Sequence, residues 1–363
     1  MNIDFIGQGE GEGAVANHFM ANGKLDPGVM RPYFDPKTGR SYMTVYTGGD
    51  PKKKESYKTL QANTTGTLRR DEWKLLDEAL IPIAESRLQG TQDLITRGLV
   101  YNIGNGMGTT VLEHHDVSDA LEADLTMDAV TRAQNDRPVF KTTYLPLPIV
   151  HADYEINTRA LNVSRNMGNA LDTTLAERAA RRVAEKVEKM LFTNVNYAFG
   201  GGTIYSLVNY TNRNQVSIGT NWTSLSDNSS EGTVGEQIVA QVSSMKQTSL
   251  DNYHYGPWVL YVPSNYETLL DNDYNSYKTA TIRERILKIA NLQDIVVVDT
   301  LADNNVLLVQ TTTDVVRIVR GMGLTNVQWT TEGGMVHKFK VMTIQVPQIR
   351  SDQNGKCGIV HLA

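Results

Sequence analysis

The stretch from Leu145 to Asn209 constrains this chain more than any other. It reads LPLPIVHADYEINTRALNVSRNMGNALDTTLAERAARRVAEKVEKMLFTNVNYAFGGGTIYSLVN. Pro146 and Pro148 keep residues 146–155 extended and away from a central strand position, because proline cannot donate to a ladder. Residues Ile156 to Asn166 suit a short helix, stopped by Gly168. A long helix is expected from Leu171 to Asn194, capped by Asp172 or Thr173 and about 36 Å long. Leu175, Ala179, Val183, Val187 and Leu191 recur every fourth residue, with Ala176, Ala180 and Met190 widening the stripe. Arg178, Arg181, Arg182, Glu185, Lys186, Glu188 and Lys189 fill the other face. So narrow a stripe predicts a helix laid along a sheet, its polar face toward a cavity or solvent. Gly200, Gly201 and Gly202 then stop the helix and turn the chain. The order is that of a scaffold, with no reactive centre in it.

The segments before this stretch differ in kind. Residues 1–70 are rich in Gly, Thr, Asn, Lys and Tyr, with turn signals in FDPKTGR and TGGDPKKKES. They hold too little clustered apolar surface to fold alone and read as an extended arm that orders against something else. Phe5, Phe19, Tyr33, Phe34, Tyr42 and Tyr46 would be its anchors. A helix is expected from Asp71, with Trp73, Leu75, Leu76, Leu80, Ile83 and Leu88 near a 3.6 period and a kink at Pro82. A loop over Gly104, Gly106 and Gly108 follows. Residues 112–145 are acidic: Glu113, Asp116, Asp119, Glu122, Asp124, Asp128 and Asp136 face only Arg132, Arg137 and Lys141. They read as two extended arms around a turn near Ala133 to Asp136, with a short helix over Asp119 to Met127 competing for the first arm.

After the long helix, residues 209–232 are polar and loop-like. An α/β pattern comes next. Helices are expected at Val234 to Met245, Asn265 to Leu270 and Thr281 to Ala290, and strands at Trp258 to Val262, Ile295 to Val298 and Val306 to Gln310. From Asp314 the chain is strand-rich to its end. The fold class is therefore α+β.

Composition removes several functions. At 363 residues, 40% hydrophobic, the chain can bury a sizeable core. Its net charge of −5 argues against a basic nucleic-acid binder. A single cysteine, Cys357, allows no internal disulfide and no multi-cysteine metal site. MNIDFIGQGEGEG is not a signal peptide, and no apolar run approaches the ~18–20 residues needed to span a membrane. If Met1 is the initiator, no N-terminal piece has been removed by proteolysis. His114, His115 and Asp116 lack the spacing of a metal site, since adjacent strand residues point apart. The glycines at 104, 106 and 108 lack the dinucleotide spacing and the βαβ unit it requires. Gly200 to Gly202 follow a helix instead of leading one, so no helix N-terminus offers them a phosphate site. Cys357 reads as a small strand residue. No catalytic, cofactor-binding or metal-binding residue is assigned, and the chain is expected not to be an enzyme.

The segments together resemble Hong Kong 97 phage-type capsid proteins, including the encapsulin-like branch of that fold. The resemblance runs from Trp73 onward. Trp73 to Leu88 stands where the family has its leading helix and Leu112 to Leu145 where it has the acidic extended E-loop. Leu147 to Asn166 matches the apolar approach to a short helix, Leu171 to Phe192 the spine helix, and Gly200 to Ile204 the Gly-Ile turn. EQIVAQVSSMKQ through NNVLLVQ is similar to the family's apical (A) domain, and DVVRIVR through CGIVHLA to the strands that return to its peripheral (P) domain. The organisation this implies is an N-terminal arm over 1–70 and a leading helix and loop over 71–111. The E-loop takes 112–145. The P domain combines 146–212 and 312–363, with a spine helix at about 171–194, and the A domain takes 213–311.

The resemblance implies a major capsid protein that assembles with itself, as pentamers and hexamers, into the icosahedral head of a tailed bacteriophage around double-stranded DNA. The long arm favours a viral shell over an encapsulin-like compartment for a cargo enzyme, and a soluble α/β enzyme is the more distant alternative. Portal, separate scaffolding and cement proteins are the further partners implied, with non-specific DNA contact, no cofactor and no membrane. The location implied is the capsid head of the virion, assembled in the cytoplasm of the bacterial host. Residues 112–140 contain no lysine, so covalent cross-linking through an E-loop lysine is not expected. Lys52, Lys53, Lys54, Arg69 and Arg70 make the late arm basic and are expected to pair with Glu113, Asp116, Asp119, Glu122 and Asp124 of an acidic E-loop.

Overall fold

The computed structural model describes residues 33–35, 40–46, 57–62, 89–117, 127, 140–167, 174–228, 230–275, 277, 280–331, 335–352 and 354–363. The expected helix over Asp71 to Leu88 and the tip of the acidic segment lie outside these residues, as does the basic run Lys52 to Lys54. Within the arm, β1 (Tyr33–Asp35), β2 (Arg40–Tyr46) and β3 (Tyr57–Ala62) form an antiparallel three-stranded sheet. Next come α1 (Gln89–Thr96) and β4 (Val100–Asn102), then a hairpin of β5 (Val111–Val117) and β6 (Phe140–Pro146). β7 (Val150–Asn157), α2 (Thr158–Met167) and α3 (Thr174–Phe192) follow. The proline-flanked segment is thus a strand, and it takes an edge of its sheet, where Pro146 and Pro148 obstruct no ladder.

Past α3, the chain makes two-residue strands β8 (Ala198–Phe199) and β9 (Gly202–Thr203), then β10 (Asn214–Val216). α4 (Val234–Asp251) and β11 (Trp258–Pro263) lead to the short helices α5 (Glu267–Leu270) and α6 (Ile282–Leu287). Thr233 and Glu236 cap α4 reciprocally, and Thr281 and Glu284 do the same for α6. β12 (Leu292–Val298), β13 (Val306–Gln310), β14 (Val316–Thr331), β15 (Val336–Ile349) and β16 (Ile359–Leu362) complete the chain.

Two sheets carry the body. One has the order β4-β14-β15-β7, and α3 lies along β7 and β15. Ala180, Val183 and Val187 of α3 pack there with Tyr154, Phe339 and Val341. Tyr154 and Phe339 stack at 4.8 Å, and the Tyr154 hydroxyl accepts a hydrogen bond from Asn326 Nδ2 at 2.9 Å. Two details depart from the expected stripe. Leu175 is 43% exposed, whereas Glu188 is 2% exposed. Every-fourth spacing drifts about 40° per step on a helix of 3.6 residues per turn, so Leu175 and Leu191 are about 160° apart.

The second sheet has the order β10-β16-β13-β11-β12. β11 is buried along its whole length because its two faces meet different cores. Trp258, Leu260 and Val262 pack with Ile238, Val242 and Met245 of α4 and with Ile286 of α6. Val259 and Tyr261 face Leu94, Leu191 and Phe192 on the other side. The C-terminal strand corrects the sequence grouping of 312–363. β16 pairs with β13 in the second sheet, Leu308 opposite Val360, whereas β14 and β15 belong to the first. A four-residue apolar strand carries no signal of which sheet it joins. Residues 209–232 are also less loop-like than expected. They contain β10 and the fully buried Trp222, which stacks on Tyr266 at 4.8 Å and donates from Nε1 to Gln241.

Candidate assembly surface

The residues first considered for chemistry have structural partners. The loop at Gly104 to Gly108 packs on β14, and a Cβ at Gly106 would overlap the backbone of Gly321. Cys357 is buried against the Arg350 carbonyl, and burial pushes its thiol up to about 12. His114 lies in the hairpin, where its carbonyl accepts from Thr143 Oγ1. Among the described residues, no group of three or more His, Cys, Asp or Glu could hold a metal ion. No helix among them is long and apolar enough to cross a membrane.

The hairpin β5-β6 is the feature that stands away from the two sheets, and its foot is closely fitted. β8 and β9 turn through Gly200 and Gly201, whose φ values of +59° and +81° are those a type I′ turn needs. Gly202 sits so close to the Tyr144 carbonyl that a Cβ would overlap it. The glycine run therefore does more than stop a helix, since it seats the foot of the hairpin. A recess of about 200 Å³ opens there, lined by His114, Tyr144, Tyr205, Tyr210 and Gln348 among others. Tyr144, Tyr197, Phe199 and Tyr205 are all exposed around it. Aromatic rings left in solvent beside a projecting hairpin mark an interaction surface. The signal was present in NYAFGGGTIY, read only as a turn.

Of the expected charge-pairing residues, Glu113 is exposed on β5 opposite Tyr144, and Asp116 takes the register position opposite Lys141. Lys52, Lys53, Lys54, Arg69, Arg70, Asp119, Glu122 and Asp124 lie outside the described residues. The polar face of α3 is more basic than the sequence suggested. Arg178, Arg181, Arg182, Lys186 and Lys189 are exposed, and Arg182 pairs with Glu185 at 2.9 Å. Glu188 is withdrawn from that face into the interior. A second exposed aromatic group, Tyr253 and Tyr255, lies beyond α4, with Lys356 Nζ 3.7 Å from the Tyr253 ring centroid.

A family model described as "Family of unknown function (DUF6260)" matches residues 61–362. No curated protein matches the chain. Among solved structures, the virus-like particle from Pyrococcus furiosus is 16% identical, with a TM-score of 0.57, covering 80% of this chain and 99% of that one. The capsid of Myoviridae phage XM1 is 10% identical, with a TM-score of 0.56 and coverage of 74% and 90%. The capsid of a native GTA particle is 12% identical, with a TM-score of 0.52 and coverage of 74% and 89%. The fold is the Hong Kong 97 capsid type that the sequence resembles.

Proposed function

The chain belongs to the family of unknown function DUF6260, and we propose that it is a major capsid protein that assembles with itself into a closed icosahedral shell around the double-stranded DNA of a tailed phage. The observation that carries this reading is the capsid fold together with a projecting hairpin whose foot is ringed by exposed Tyr144, Tyr197, Phe199 and Tyr205. Such a chain acts through repeated contacts and transforms no substrate. Each contact need only be modest, because closure makes many act together.

In this reading, residues 1–70 are an arm that crosses to a neighbour, 71–111 a leading helix and loop, and 112–145 an E-loop laid over an adjacent copy. The P domain is 146–212 with 312–358, and the A domain is 213–311 joined by the C-terminal strand. Rings of five and six copies place the A domains near the ring axes. The cations of α3 face packed DNA without binding it tightly, since affinity grows with the number of phosphates neutralised. Lys52, Lys53, Lys54, Arg69 and Arg70 dock against Glu113, Asp116, Asp119, Glu122 and Asp124 and fix register. Portal, scaffolding and cement proteins complete the head, which forms in the host cytoplasm.

The test is the content of particles that carry this chain as their most abundant protein. Nuclease-protected double-stranded DNA supports the reading. Particles filled with a second protein and free of nucleic acid would replace it with a cargo compartment.

A further inference from the structure

The eight residues of α1 join three parts of the molecule. At its N-terminal end, the carboxylate of Glu188 accepts hydrogen bonds from Gly90 N at 2.9 Å, Thr91 N at 3.2 Å and Thr91 Oγ1 at 3.1 Å. Gly90 is seated so tightly that a Cβ would overlap the ring of Phe192. Both partners, Glu188 and Phe192, come from the end of α3. On the other side, Asp93 accepts from Tyr261 Oη of β11 at 2.8 Å and from Arg97 Nε at 2.8 Å. Arg97 reaches Gln293 and Asp294 of β12. Leu94 and Leu99 are buried among Leu191, Phe192, Tyr261 and Val298. The next residues, β4, hydrogen-bond to β14 of the first sheet. Between Gly90 and Asn102, then, the chain is fastened to the spine helix and to both sheets.

Glu188 is not an ordinary surface acid folded inward. Burial pushes its pKa up, and the hydrogen bonds from Gly90 and Thr91 oppose that push. Asp299 adds like charge, so the carboxylate has no cation to neutralise it among these partners. Its compensation comes from the first amides of α1, where a helix presents unpaired N–H groups. If α1 unseats, a buried acid and two backbone donors lose their partners together. That makes seating close to all-or-none. The 88 residues that precede Gln89 are continuous with this end of the helix.

We infer that α1 is a latch, with Glu188 as its positioning residue, that couples engagement of the preceding 88 residues by a neighbouring copy to the seating of the spine helix against both sheets. The coupling to a neighbour rests on the shell reading above, whereas the latch itself rests on contacts within one chain.

Hydrogen–deuterium exchange on the full-length chain tests both parts, with residues 89–99 as the probe and residues 234–251 as the internal reference. In unassembled protein, Glu188→Ala is expected to speed exchange over 89–99 about tenfold, and Thr91→Val, which removes one hydrogen bond at similar volume, by less. The reference segment stays unchanged. In the wild type, assembly is expected to slow exchange over 89–99, and both variants to shrink that difference. No change over 89–99 in either variant, or an equal rise in the reference segment, would overturn the latch. Should Glu188→Ala fail to fold, Thr91→Val decides the matter alone. Absence of particles from the wild type would sink the shell reading and the coupling with it, while the comparison of unassembled proteins still decides the latch.

Discussion

Single residues separate what a helical stripe runs together. Leu175 and Leu191 stand on one every-fourth series, yet Leu191 is fully buried and Leu175 is 43% exposed. Leu191→Ala is expected to cost about 2–5 kcal/mol and Leu175→Ala within about 0.5 kcal/mol, measured by denaturant unfolding. Glycines divide the same way. Gly202→Ala forces a Cβ onto the Tyr144 carbonyl, whereas Gly104 has open space around it. We expect Gly202→Ala to lower stability by about 1–3 kcal/mol and to loosen the hairpin foot, with Gly104→Ala near neutral. His361 supplies a pH dependence. Its Nε2 donates to Asn305 Oδ1 and its Nδ1 accepts from Arg213, and burial, with the Arg213 charge, lowers its pKa to about 4. The folded state then binds fewer protons than the unfolded state, so this group's contribution is present above about pH 6.5 and is lost as pH falls toward 4. His361→Gln should flatten that part of the stability–pH curve. A wild-type curve equally flat between those values would contradict the assignment.

Elements were legible where one face alone is buried. The spine helix, β13 and the long strand-rich end follow from 3.6- and 2-residue periods. What stayed hidden depends on contacts far apart in sequence. Nothing local to Glu188 says that Gly90, about a hundred residues earlier, will cap itself on that acid. Nothing in Ile359–Leu362 selects β13 as partner, and nothing in a polar segment marks Trp222 as core. The hairpin's two arms could be read, but the role of Gly202 at its foot could not, because the neighbour that forbids a side chain is Tyr144 on another strand. The same gap led the acidic Glu188 to be counted on the outer face of α3. With it removed, that face carries five exposed cations, and its function can be tested apart from its packing. Arg178→Glu combined with Lys189→Glu should change stability by under about 1 kcal/mol and reduce the DNA held in particles. Full DNA content in that variant would show that the face does not meet the genome.

The whole molecule places buried, two-sided packing in its sheets and leaves aromatic and charged groups on what projects from them. That division suits a subunit whose body stays fixed while its extensions meet copies of itself. Ordering those extensions costs conformational entropy, offset by burying their anchors on a neighbour. If basic and acidic extensions steer that docking, high salt should slow assembly, and joint charge reversal at Lys52, Lys53 and Lys54 should slow it further and weaken its response to salt. Unchanged kinetics and salt response would remove the charge pairing while leaving the shell untouched. The central claim is tested most directly by electron microscopy of the purified chain at rising concentration. Closed shells of uniform diameter, with fivefold and sixfold rings of this chain, are the expected result. Single globular subunits at every concentration, with the β5-β6 hairpin folded back onto its own body, would contradict it.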